Sequence, residues 1–173
     1  MAYQLTHEAE AFINFRDHTF PGPGSHGFRW VDVKHLRLPA EPPGDRELLA
    51  ALIRHEQFRD DYAGGGVQPD GTRHGPYWLS ALTPDVYEAV GHEKSAHILA
   101  EWANRPGPVP AELAAALRRE VSDRLAAADQ VYYLSGLGEE AFHDWGGVHG
   151  DFHEFVWVDR AAGRLTLLVA ADD

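Results

Sequence analysis

The stretch Phe152-His153-Glu154-Phe155-Val156-Trp157-Val158-Asp159 is followed by Arg160-Ala161-Ala162-Gly163-Arg164 and then Leu165-Thr166-Leu167-Leu168-Val169-Ala170-Ala171. Aromatic and β-branched side chains dominate both outer runs, and the short glycine-containing connection suits a hairpin between them. Past Glu154 both faces of the two strands are apolar, which places the hairpin centrally in its sheet.

Upstream, Gln130-Val131-Tyr132-Tyr133-Leu134-Ser135 reads as a further strand, ended by Gly136 and Gly138. Pro110 opens a helix in which Leu113, Leu117, Val121 and Leu125 recur every four residues, a stripe that belongs in the core. Thr83-Pro84-Asp85 offers a hydroxyl cap, a proline at the first helical position and a first-turn carboxylate, and predicts a helix towards Asn104 that Gly91 weakens. Asp45 stands as N-cap before a helix predicted over 46–62, with Leu48, Leu49, Leu52 and Ile53 turned inwards. Phe28-Arg29-Trp30-Val31-Asp32-Val33 has strand composition, and Thr6 would cap a short helix over 8–15. Residues 63–76 lack periodicity and are expected to form a mobile flap. Helices and strands mix without a βαβ rhythm. The expected fold is therefore α+β: a single domain over 1–173, its largely antiparallel sheet carrying a C-terminal hairpin packed against three or four helices.

A formal charge of −12 opposes binding to a phosphate backbone, so nucleic acid is not an expected partner. Without cysteine there is neither a disulfide nor a thiolate, and a metal site would need nitrogen and oxygen ligands. The first residues lack the basic and apolar regions of a signal peptide, and no apolar run approaches the roughly 18 residues of a membrane span. The expected address is cytoplasmic, with no membrane partner.

The densest group of ionisable side chains precedes and enters the hairpin: His143, Asp144, His149, Asp151, His153 and Glu154. On an extended backbone His149, Asp151 and His153 project to one side and Glu154 to the other. Pairing Val158 with Leu165 also sets Asp151 opposite Asp172, and a one-residue shift brings Asp173 there instead. Opposed carboxylates repel, so a cation between them or a protonated histidine beside them would offset a real cost. His149, Asp151, His153 and Asp172 are accordingly a candidate ligand set for zinc, manganese or iron. A metal-free alternative uses a histidine as general acid or base held by Asp151 or Asp144. A third reading leaves the histidines structural, with Trp145 in the core.

Other patterns carry less. His92-Glu93-Lys94-Ser95-Ala96-His97 has one residue too many for a zinc-protease helix, and neither a nucleotide-binding loop nor a nucleophile elbow occurs. Arg73 and His74 in the expected flap, with His18 and His26, could close over a small anionic substrate. Two functional expectations follow. The first is an enzyme acting on a small molecule by hydrolysis, isomerisation or elimination, centred on His149, Asp151 and His153 with His143, Asp144 and Glu154 nearby. The second is a non-catalytic acidic interaction protein, such as an immunity-type inhibitor of a basic partner, presenting Asp60, Asp61, Glu139, Glu140, Asp172 and Asp173.

Overall fold

The computed structural model describes residues 3–22, 28–135 and 137–172. His26 and Asp173 lie outside the described residues. The C-terminal hairpin is present, in the register that pairs Val158 with Leu165 and not the one shifted by a residue: β7 (Phe152–Asp159) pairs with β8 (Arg164–Asp172). Its turn closes where Asp159 Oδ1 accepts from the Ala162 amide at 3.0 Å and Gly163 takes φ 66°. Among the described residues six strands form one antiparallel sheet in the order β1-β2-β8-β7-β6-β5, with the hairpin at its centre. The others are β1 (Thr6–Asn14), β2 (Arg29–Arg37), β5 (Tyr87–Ala89) and β6 (Gln130–Leu134).

Each sheet face is covered by helix, which explains why the central strands are apolar on both sides. On one face α2 (His92–Asn104), α3 (Ala111–Leu117), a π turn (Arg118–Ser122) and α4 (Asp123–Ala127) enclose Val31, Val33, Phe155, Trp157, Leu168 and Ala170. On the other, α1 (Asp45–Arg54) packs Leu48, Leu49 and Leu52 against Leu36, Val156, Val158, Leu165 and Leu167. The expected α+β domain with its central C-terminal hairpin is the observed one. No described helix is long and apolar enough to cross a membrane.

Four local expectations are corrected. Residues 6–14 form the edge strand β1 instead of a helix, because Ala11 and Ile13 meet the core at period two while hydrogen bonding to β2 outweighs the helix preference of alanine and glutamate. The helix expected over 46–62 starts from a Gly44 cap and stops at Arg54, giving way to a 3-10 turn, Glu56–Phe58, that buries Phe58. Thr83 and Pro84 start only a 3-10 turn, Pro84–Val86; β5 follows, and the helix begins afresh with Gly91 as N-cap. The expected flap ends in a small hairpin, β3 (Arg73–His74) with β4 (Tyr77–Trp78), that buries His74 completely.

Candidate functional site

The opposition of Asp151 and Asp172 is realised at the end of the sheet. The Asp172 amide donates to the Asp151 carbonyl at 3.1 Å, and the Asp151 amide donates to Asp172 Oδ1. The cations beside them are arginines: Arg105 Nη1 pairs with Asp151 Oδ2, and Arg29 Nη2 lies 3.9 Å from Asp172 Oδ2.

The histidines do not join them. His153 turns to the α2–α4 face, where Nδ1 lies 2.9 Å from Tyr133 Oη, and burial holds its pKa below the ordinary value. His149 precedes the strand, after a 3-10 turn (Gly146–Val148), and goes to the opposite face: its Nε2 lies 3.0 Å from the Asp61 carbonyl, and its ring packs on Trp30 and Phe152. The strand alternation that would have put both on one side begins only at Phe152. Among the described residues no three His, Asp or Glu side chains form a group able to hold a metal, and His149, Asp151, His153 and Asp172 are no exception.

His143 caps a turn, with Nε2 donating to the Gly75 carbonyl at 2.6 Å and Nδ1 accepting from the Trp145 amide at 2.9 Å. Asp144 is exposed, 3.9 Å from Arg73, and Trp145 is exposed instead of in the core. Glu154 is buried against α1's side of the sheet, where Oε1 meets His74 Nε2 and Oε2 accepts from Tyr87 Oη. His74 Nδ1 lies 2.6 Å from the Phe58 carbonyl, so both ring nitrogens face oxygen acceptors. This buried polar network fastens the β3–β4 hairpin to the sheet.

A solvent-open cleft that sequence reasoning overlooked lies beside it. Glu10 and Phe12 of β1, and Trp30, Asp32 and Lys34 of β2, are even-numbered neighbours on one face of paired strands; the loop 59–67 covers them. The cleft has a volume of about 320 Å³. Lys34, fully buried, donates to Asp60 Oδ2 at 2.9 Å and to Tyr62 Oη at 3.0 Å, and lies 3.4 Å from Asp32 Oδ2. Asp60, expected on the surface, is buried by that bond and by accepting from the Tyr62 amide at 2.8 Å. Tyr62 sits at φ 56°, a left-handed conformation that a bulky residue adopts only where its surroundings enforce it. Its ring stacks on Trp30 at 5.6 Å, and Trp30 stacks on Phe12 at 5.9 Å, so three rings line one wall.

Asp32 is the anomaly of the cleft. Only 3 % exposed, it makes no hydrogen bond through Oδ2. Burial, then its hydrogen bond with Glu10, pushes its pKa from 3.8 to about 8 against the pull of Lys34. Near neutral pH Asp32 is thus held in its protonated form. The sequence signal was Asp32-Val33-Lys34: two opposite charges at strand spacing within an apolar run, with one of the chain's two lysines among them. Burial also raises the Tyr62 hydroxyl well above its ordinary value, followed by the charges of Asp32 and Asp60, so it remains a donor. No protein-family model, curated protein or solved structure matches the chain.

Proposed function

We propose that the chain is an acidic binding protein that takes a cationic group of a basic partner into the cleft between β1, β2 and the loop 59–67. The observation that supports this reading is the buried Asp32 carboxylate, which lines an open cleft and whose Oδ2 has beside it only the Lys34 ammonium, 3.4 Å away and hydrogen-bonded to Asp60 instead. Three carboxylates, Glu10, Asp32 and Asp60, line the cleft with one cation, Arg16, and the buried ammonium of Lys34 is already engaged by Asp60 and lies beside Asp32. Asp32 is held protonated near neutrality, and an ammonium or guanidinium would take that proton's place. Phe12, Trp30 and Tyr62 suit the same ligand, since aromatic faces attract cations. A net charge of −12 would speed the approach of a basic partner.

The test is calorimetry with arginine amide as the probe, at pH 7 in buffers of different ionisation enthalpy. Saturable binding with release of a proton, lost in Asp32→Asn and Glu10→Gln, is the expected result. Absence of binding, or binding unchanged in both variants, overturns the reading.

A second reading keeps the cleft and makes it catalytic. A carboxylic acid with a pKa of about 8 is a competent proton donor and acceptor near neutrality, and the enforced backbone of Tyr62 is of the kind found at reaction centres. Hydrolysis, isomerisation or elimination on a small molecule would then run through Asp32, with Tyr62 as a hydroxyl donor. Turnover lost in Asp32→Asn but retained in His149→Ala and His153→Ala distinguishes it from the histidine-centred alternative. Metal-assisted chemistry with zinc, manganese or iron at His149, Asp151, His153 and Asp172 would require both aspartates to leave their arginines and the histidines to reach one face. Elemental analysis of protein purified without a histidine tag tests that alternative directly.

A further inference from the structure

On the other side of the sheet, between α2 and the rod formed by α3, the π turn and α4, lies a cavity of about 230 Å³. Leu99, Trp102, Leu117, Val121 and Leu125 form its main walls. Alanines at 96, 100, 103 and 114 leave space that larger side chains would fill. The π turn contributes Arg118, Val121 and Ser122 to the same wall, and such turns concentrate at functional sites. Arg118, an exposed residue, is the one charged side chain among those lining it.

Trp102 adds an independent observation. Its side chain is 1 % exposed, and its indole N–H finds no acceptor among the described residues. A buried indole N–H ordinarily has a partner, because leaving it without one forfeits the hydrogen bond it made to water. Apolar cavities of roughly 150 Å³ remain dry and hold molecules the size of benzene. This one has room for a slightly larger molecule; it opens to solvent past Asn104, Arg118 and Ser122, and Trp102 is the buried donor in its lining.

We propose that the α2–α4 cavity binds a small uncharged molecule with an apolar body and a single accepting oxygen, an aromatic or short-chain ketone, aldehyde or ester, with Trp102 Nε1–H as its donor. The inner walls are apolar, so a ligand with polar groups other than one facing Trp102 would bury them there without a partner. The Trp102 donor favours a carbonyl compound over the hydrocarbon of the same shape.

Acetophenone and ethylbenzene are nearly isosteric probes that differ in that oxygen. Titration is followed in ¹H–¹⁵N spectra by the indole N–H of Trp102, assigned from the Trp102→Phe variant. Acetophenone is expected to shift that resonance saturably and to bind about five- to tenfold more tightly than ethylbenzene, the size of one net hydrogen bond. Trp102→Phe should remove the preference, and Ala100→Leu should fill the cavity and abolish both interactions. Should Trp102→Phe fail to fold, Ala100→Leu and the two-probe comparison in the unaltered protein still decide. Equal affinity for both probes, or no shift up to their solubility limits, overturns the proposal. So does benzoate binding more tightly than acetophenone in a manner lost in Arg118→Ala, which would indicate an anion site.

Discussion

Asp151, the residue before β7, stands opposite Asp172, the last residue of β8, each with an arginine contributed by a distant segment, Arg105 for the first and Arg29 for the second. Arg29 is buried and also donates through Nε to the Trp102 carbonyl at 3.2 Å, whereas Arg105 is half exposed. Removing a buried partner strands a charge, so Arg29→Met should lower stability by about 3 kcal/mol, while Arg105→Ala should cost about 1 kcal/mol or less. Urea denaturation of the single variants, and of Arg29→Met combined with Asp172→Asn, checks this; the double variant should recover part of the loss.

The buried His74–Glu154–Tyr87 network makes a second expectation specific. In Glu154→Gln the amide can donate to His74 Nε2 and its oxygen can still accept from Tyr87, with His74 Nδ1–H kept on the Phe58 carbonyl. Both contacts at position 154 survive, so this variant should lie within about 1 kcal/mol of the parent. Glu154→Leu leaves the Tyr87 hydroxyl and His74 Nε2 without a partner and should cost about 3 kcal/mol or more. Thermal and urea unfolding of the pair provide the measurement.

Stability should respond to pH through two buried groups of opposite sign. Asp32, raised from 3.8 to about 8, leaves the folded state holding a proton that the unfolded state has lost, so its contribution falls as pH rises across that interval. His35 is lowered from 6.5 to about 4, chiefly by burial and then by Arg124 and Arg164, so its contribution rises from about 4 to 6.5 and is then complete. The two oppose each other below about 6.5, and only the fall due to Asp32 remains between 6.5 and 8. Asp32→Asn should abolish that fall and expose the rise due to His35, as read from denaturation midpoints between pH 4 and 9.

Two glycines with positive φ separate conformational strain from crowding. A Cβ on Gly64 would meet nothing within 4 Å, whereas one on Gly75 would lie 2.4 Å from the Phe152 ring. Gly64→Ala should therefore cost about 1 kcal/mol, the backbone penalty alone, and Gly75→Ala clearly more, because the β3–β4 hairpin must shift away from the sheet. Differential scanning calorimetry distinguishes the two.

The centre of the fold was legible because its signal is local and redundant: the run from Phe152 to Ala171 is apolar on both faces, and its register followed from a single short turn. The periphery was not. Residues 6–14 carry helix-forming alanine and glutamate, yet their conformation is decided by β2, a partner invisible to local propensity. The site failed for a similar reason. His149 and His153 were joined by extending strand geometry three residues too far, back through Gly150 to the end of the 3-10 turn. The aspartate pair was anticipated, but arginines at 29 and 105 come together with it only in three dimensions. The cleft's Asp32-Val33-Lys34 was visible as a polar interruption of a strand, and its meaning depended on Glu10 and on the loop carrying Asp60 and Tyr62.

The position of β8 also bears on how the chain is made. This central strand bridges β2 and β7, so β2 finds one of its two neighbours only in residues 164–172, the last strand of the sheet to be translated. Until that segment leaves the ribosome, the nascent chain holds a β1–β2 ribbon whose apolar interior side has no companion. Such long sequence separation slows folding and prolongs exposure of unpaired strand edges. The sheet consequently cannot close before β8 has been translated, and the nascent form that precedes it is the stage at which a holding chaperone has the most to protect.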